Sequence, residues 1–345
     1  MTDLQKLFDS MTFENDDKSA AYNSRVLIID ALNTFIRSYC AVPTLDDNGN
    51  HVGGMVGFMK SLGHAIKIFK PTRVVLVFDG KGGSQRRREL YPEYKANRKM
   101  PTRLNRAYDM TEEEQEKENM KFQLVTLVEI LECLPVTTLA LENVEADDVI
   151  AYFSELVVSK GGKSIIYSTD KDFLQLVSDS VTVYNPVKKK SYLPQTLLDV
   201  YGIDRQNFVF YRALLGDKSD SIEGIRGAGE KTVLKYIPEL GTTEPVTMDL
   251  IRAKYAGVKK VPKLIESIIS NESVVDRNLQ LMSLSEVNIS VDAKMKVFHK
   301  YETLFTTLRK LDLTRLLIRS NIHASLPNYD EWVAYNFGPL TRFHQ

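Results

Sequence analysis

Short β-branched apolar runs alternate with longer stretches of helical spacing through the first half of the chain. The runs are RVLIID at 25–30, VVLVFD at 74–79, VTTLAL at 136–141, SIIYSTD at 164–170 and SVTVYN at 180–185. They are continuously apolar instead of alternating, as strands buried on both faces are, which predicts a mostly parallel sheet flanked by helices. Between them, residues 55–69 and 149–157 fit helices. Met120, Leu124, Leu127, Val128, Leu131 and Leu134 recur at i, i+4, i+7, i+8 until Pro135 stops the pattern. This predicts an α/β unit over about 25–190. Beyond it clean strands disappear, and helical spacing at 206–215, 230–237, 263–269 and 301–311 predicts a smaller helical region over 191–345. Residues 1–24, polar and acidic after Phe13, are expected to lie outside the fold as a flexible extension.

Composition narrows the class. A length of 345 residues suits two domains. Hydrophobic residues at 43% and charged residues at 26% are those of an average soluble protein, excluding collagen and simple disorder. The longest apolar runs fall far short of the roughly 20 residues a bilayer crossing needs, so no membrane partner is expected. The N-terminus lacks a basic region followed by an apolar one, and Cys40 and Cys133 are the only cysteines. A cytoplasmic protein without a disulfide framework follows as the expectation.

Lys plus Arg and Asp plus Glu each number 45, and the zero sum conceals opposed blocks. Acids cluster at strand ends: Asp30, Asp79, then Glu145, Asp147 and Asp148, then Asp170 and Asp172. Ligand sites of open α/β sheets lie at the carboxyl ends of the strands, so these side chains are expected in one crevice. A single strand-end aspartate serves equally well as a helix cap. Seven like charges together repel, and divalent cations relieve that repulsion; donors without Cys or clustered His suit Mg²⁺ or Mn²⁺. Asp217 and Asp220 follow in GDKSDSIEGIRGAGEK, where turn chemistry alone could explain them.

Residues 81–106 hold nine Lys or Arg and two Glu, and 109–118 hold six acids and one Lys. The basic run, with Arg86, Arg87 and Arg103 and the interleaved Tyr91 and Tyr94, has the composition of a segment that handles single-stranded nucleic acid, or of a solvated face paired with the acidic block. It starts directly after Asp79, at the expected crevice. The string GIRGAG, with Gly224, Gly227 and Gly229, precedes Glu230 and Lys231 and reads as a hairpin entering a helix. No strand precedes it as a dinucleotide fingerprint requires.

The ordered set Asp30, Asp79, YKANR at 94–98, VEADD at 144–148, STDKD at 168–172 and GDKSDSIEGIRGAGEKT at 216–232 resembles the 5′-nucleases. That family includes flap endonucleases, the 5′-exonuclease domain of bacterial DNA polymerase I and the bacteriophage RNase H enzymes, which this chain resembles most in size. The resemblance covers about residues 25–240. It implies a two-metal, Mg²⁺- or Mn²⁺-dependent hydrolase with a PIN-like core and a helical arch at about 81–118. It also implies a helix-hairpin-helix element at about 206–237. By position, Asp30, Asp79, Glu145 and Asp147, with Asp148 beside them, would serve the first metal cluster, and Asp170, Asp172, Asp217 and Asp220 the second. Lys95 and Arg98 would contact the scissile phosphate, with Tyr94 near the unpaired nucleotide. Gly224, Gly227, Gly229 and Lys231 would hold duplex backbone, with K⁺ on the hairpin carbonyls. The expected partners are DNA and RNA–DNA hybrid with a 5′ flap or 5′ end, bound by a monomer.

LQKLFDSMTF at 4–13 resembles the short peptides with which phage replication proteins bind a sliding clamp; packing on the domain would explain the same apolar residues. Lys259, Lys260 and Lys263 suit phosphate contacts or a solvated face, and Trp332 suits packing. The leading expectation is a 5′-nuclease that removes RNA primers and flaps during replication. The alternatives are a PIN-like endoribonuclease, which would not need the hairpin or arch, and a DNA-binding subunit without catalysis, which the complete acid set disfavours.

Overall fold

The computed structural model describes residues 22–98, 113–284, 289–303, 307–326 and 328–344. A six-stranded sheet has the order β3-β2-β1-β4-β5-β6. Its strands are β1 (Arg25–Asp30), β2 (Arg73–Phe78), β3 (Thr137–Ala140), β4 (Lys163–Tyr167), β5 (Val181–Asn185) and β6 (Lys190–Tyr192). The first five run parallel and β6 returns antiparallel to β5. Alternate residues of β1 feed opposite cores: Val26 and Ile28 enter one apolar cluster, Leu27 and Ile29 the other. Both faces are therefore covered, and the continuous apolar runs were the correct signal for this.

One face is packed by α1 (Ala31–Ala41), α2 (Gly53–Phe69) and α4 (Glu113–Leu131); α3 (Gln85–Leu90) follows β2, and α5 (Ala146–Ser159) covers the other face. The helical region continues with α6 (Pro194–Tyr201), α7 (Arg205–Leu215), α8 (Glu230–Tyr236), α9 (Met248–Tyr255), α10 (Lys263–Ser270), α11 (Glu272–Met282), α12 (Val291–Glu302), α13 (Lys310–Arg319) and α14 (Tyr329–Phe337). A two-stranded hairpin, β7 (Gly216–Asp217) with β8 (Ile222–Glu223), sits between α7 and α8.

Four expectations need correction. The single helix expected over 301–311 is interrupted: α12 ends at Glu302, Thr303 is extended, and α13 starts at Lys310. The cause is Arg73, only 1% exposed, whose guanidinium donates to the carbonyls of Lys300 and Tyr301 at 2.6 and 2.7 Å. It satisfies helix-end carbonyls that otherwise lack partners. Residues 22–24 belong to the fold, for Tyr22 is buried against the Arg73 guanidinium and Asn23 accepts from it at 2.8 Å. The boundary near 190 does not separate two cores, since Val233, Ile265 and Val297 share a cluster with Val26 and Ile28. The helical spacing up to Pro135 also overshoots α4: the helix ends at Leu131, and Cys133 and Leu134 close tight turns on Ile130 and Leu131.

Candidate active site

β1 lies between β2 and β4, at the point where strand order reverses, so side chains at its carboxyl end open into the crevice between neighbouring connections. Asp30 caps α1 by accepting from the Asn33 amide at 3.1 Å, and its other oxygen accepts from Ser168 Oγ, just past β4, at 3.0 Å. Its carboxyl is pushed up to about 7, first by burial and then by the charges of Asp79 and Asp170. Asp79, after β2, accepts from the Ala146 amide at 2.9 Å and so ties β2 to the start of α5. Asp147, in the first turn of α5, is raised well above the carboxylate range by burial and by Asp170 and Asp30.

The second group lies alongside. Asp170 accepts from the Asp172 amide at 2.8 Å and is raised by burial, with Asp220 and Asp217 adding repulsion. Asp172 is raised to about 7 by burial and by Asp170, although Arg212 donates to it at 2.8 Å. Arg212 also donates to Asp217 at 2.5 Å. Burial pushes Asp217 up, but Ser219 and Arg212 outweigh it and leave its carboxyl below its usual value. Among the described residues no three carboxyl, His or Cys groups close around one point as a ready cage. Ion pairs account for this: Glu145 and Asp148 are drawn to Arg87, Asp172 and Asp217 to Arg212, and Asp220 to Arg98. The donor set still fits hard divalent cations, because it is all oxygen and its central members carry repulsion that only added positive charge relieves.

Lys95 stands in the left-handed backbone region at φ 57°, held by its amide donating to the Asp220 carbonyl at 2.9 Å and its ammonium donating to Glu145 at 2.5 Å. Such backbone is sparsely populated by residues with a Cβ and persists where surrounding contacts determine it. Lys95, Arg98, Asp79 and Glu145 line an open cleft of about 700 Å³ that starts at the Gly80–Gly83 turn after β2. Burial raises Glu145, but Arg87 and Lys95 outweigh it and hold the carboxyl below its usual range.

The structure moves three residues out of the roles expected of them. Arg87, 8% exposed, is not on a nucleic-acid surface: it donates to both oxygens of Asp148, at 2.7 and 2.9 Å, and to Glu145. Asp148 is consequently the bidentate ion-pair partner of Arg87. Tyr94, 3% exposed, donates its hydroxyl to Glu145 at 3.2 Å and cannot stack on a nucleotide while buried there. Both rearrangements have one cause, since a buried carboxylate needs donors and the nearest are on α3 and the turn after it. Arg86 is exposed as expected; Arg103 and residues 4–13 lie outside the described residues.

The glycine hairpin is well placed. Gly227 takes φ 87° and is exposed with Gly229 and Lys231, while Gly224 packs its backbone against the Leu215 carbonyl. Lys259, Lys260 and Lys263 are exposed, and Trp332 packs edge-on against Phe337. Sequence reasoning missed Arg212, which serves two acids at once, and Ser168, which joins β4 to Asp30. Arg212 could have been suspected from its place five residues before Asp217, inside the apolar stretch from Phe208 to Leu215.

A family model described as the 5′-3′ exonuclease, N-terminal resolvase-like domain matches residues 25–202. A 5′-3′ exonuclease of Aquifex aeolicus is 35% identical over 221 residues, 64% of this chain and 71% of the relative. The thermostable DNA polymerase I of Thermus thermophilus is 35% identical over 237 residues, 68% of this chain but 26% of the polymerase, so the chain spans about a quarter of that relative. Among solved structures, the bacteriophage T5 flap endonuclease in a pseudo-enzyme-product complex with DNA and metal ions superposes with a TM-score of 0.60 at 22% identity, covering 85% of this chain and 98% of that one. At that identity the likeness is one of fold.

Proposed function

The chain belongs to the 5′-3′ exonuclease family, and on that premise we propose that it is a metal-dependent 5′-nuclease removing RNA primers and 5′ flaps during DNA replication. The observation that carries this reading is the convergence of Asp30, Asp147, Asp170 and Asp172, all raised by burial and mutual repulsion, beside a cleft lined by Lys95 and Arg98. Two Mg²⁺ or Mn²⁺ ions held by these acids, with Asp79, Glu145, Asp217 and Asp220 around them, would supply the charge that activates water and stabilises a leaving 3′ oxygen. The chain's own part is positioning and neutralisation. Arg98, more than half exposed and paired with Asp220, can turn to a phosphate in the cleft, and Lys95 can exchange Glu145 for a phosphate oxygen over a short distance. Each offsets charge as it develops on the phosphate, and neither has to give up a proton.

The exposed glycine hairpin and Lys231 suit a duplex backbone, with K⁺ on the hairpin carbonyls, and the basic segment from Lys81 suits the 5′ strand. Residues 4–13 are proposed as a sliding-clamp peptide on a monomeric, cytoplasmic enzyme; deleting residues 1–16 should abolish clamp pull-down and spare cleavage of short substrates, and retained pull-down removes this part.

The decisive experiment is cleavage of labelled 5′-flap, nicked and RNA–DNA substrates with Mg²⁺ and with chelator. Wild type should cut only with the metal, and Asp147→Asn should lose on the order of a hundredfold or more, since metal charge stabilisation is worth several kcal/mol. Equal rates for the two proteins would overturn the assignment.

A further inference from the structure

The C-terminal end of α11, in a stretch to which no sequence motif points, holds three separate pieces of the acidic site. Helix ends leave their last carbonyls without intrahelical partners. At α11 these are taken by side chains from the catalytic half. The Arg87 Nε donates to the Leu281 carbonyl at 2.9 Å, and the same guanidinium grips Glu145 and Asp148. Gln175 Nε2 donates to the Met282 carbonyl at 2.9 Å and to the Asp172 carbonyl at 2.8 Å, while its Oε1 accepts from the Leu284 amide at 2.8 Å. One turn earlier Asn278, 0% exposed, donates to the Ala213 carbonyl of α7 at 2.9 Å and to the Glu223 carbonyl of β8 at 2.8 Å. β8 is half of the hairpin that carries Asp217 at the end of β7 and Asp220 in its turn. Arg277 completes the set by donating to Asn278 Oδ1 at 2.9 Å.

We propose that Asn278 and Gln175 are positioning residues that set the second carboxylate group, Asp172, Asp217 and Asp220, at its working distance from the first. The inference rests on the metal-dependent reading above. Each acts through backbone carbonyls, Gln175 through that of Asp172 and Asn278 through those of Ala213 and Glu223. Both of Asn278's amide hydrogens and its oxygen are committed, so its rotamer is fixed, and it fastens the hairpin and α7 to one helix. Gln175 fastens the backbone of Asp172 to the end of that helix, at the Met282 carbonyl. Arg87 fixes the first group to the same helix end, so α11 is the common reference for both. Polar groups behind metal ligands commonly govern affinity by 10–100-fold when removed.

The test measures Mn²⁺ binding to the full chain by electron paramagnetic resonance and calorimetry, without substrate, alongside metal-free thermal melting. Asn278→Ala and Gln175→Ala should each weaken the weaker class of Mn²⁺ sites about tenfold and leave the tighter class within about twofold. Arg252→Ala, at an exposed ion pair on the opposite end of α11, should bind like wild type. Unchanged Mn²⁺ affinity in a variant that only melts earlier would overturn the proposal and leave Asn278 as an ordinary buried amide. If Asn278→Ala does not fold, the half-buried Gln175→Ala decides alone, with the same two outcomes. Wild type that binds no Mn²⁺ and cuts no flap would instead sink the metal reading itself.

Discussion

Arg87 stands in a run of three arginines, and nothing in RRR distinguishes the one that turns inward. The distinction is tertiary: Arg86 and Arg88 face water, whereas Arg87 meets Glu145 and Asp148 from a helix more than fifty residues away in sequence. Removing one partner of a buried ion pair leaves the other charged and unpaired, so Arg87→Ala should destabilise the fold by about 3–5 kcal/mol in urea titrations. Lost DNA affinity at unchanged stability would return Arg87 to the nucleic-acid surface. The acids were legible because their positions relative to strand ends can be read from sequence, and strand ends have a fixed place in a parallel sheet. Their counter-ions were not, since Asp172, Arg212 and Asp217 meet only after α7 folds back. The raised groups also fix a pH dependence. A carboxyl at about 7 in the fold and near 3.8 when unfolded holds more protons in the native state between those values, so its contribution to stability falls as pH rises through that window. Without metal, Asp30→Asn should therefore gain in melting temperature relative to wild type from pH 4 to 7, and saturating Mg²⁺ at pH 8 should erase the gain. A melting difference that does not vary with pH would mean Asp30 is ionised throughout.

The long elements were predictable and the short ones were not. β1, β2 and β4 each carry several consecutive apolar residues, and two-sided burial needs that pattern; β6 has only three residues, and its pairing follows from the turn after β5. The most consequential short element is the β7–β8 hairpin, for it presents Asp217 and Asp220. It depends on Gly216, at φ 72° and ψ −178°, a conformation that glycine alone adopts readily. A Cβ there would also lie 2.3 Å from the Gly224 amide nitrogen and 2.5 Å from the Ile222 carbonyl oxygen. These neighbours are backbone and cannot swing aside. Gly216→Ala should accordingly cost more than about 1 kcal/mol, the gain such a change brings where the backbone does permit it. Cleavage should fall with it even where circular dichroism shows intact helices, while Gly161→Ala, with open space around the Cβ but positive φ, should cost stability without touching cleavage. Normal cleavage by Gly216→Ala would show that the hairpin does not set the acids.

At the scale of the molecule, the loss of clean strands after residue 191 is a real change of architecture but not a boundary between folding units. A two-faced parallel sheet needs two covers, and the second half of the chain contributes to both. Leu313, Leu317, Phe337 and Leu340 join one core, while Val233, Ile265, Val275 and Val297 join the other. Secondary-structure periodicity reports which residues are apolar, not which of two faces they will cover, so the sequence pattern could place the elements without revealing that they share cores. Arg73 makes the same connection with polar groups, joining Thr137 of β3 to carbonyls at the end of α12. Cutting the chain at 190 would expose both apolar faces and strand that buried guanidinium. Residues 22–190 expressed alone should therefore show no cooperative melting transition and should bind hydrophobic dyes, whereas the full chain should melt in one transition at every wavelength followed. A sharp, dye-silent transition in the fragment would mean that the sheet folds independently and that the helical half is added to it.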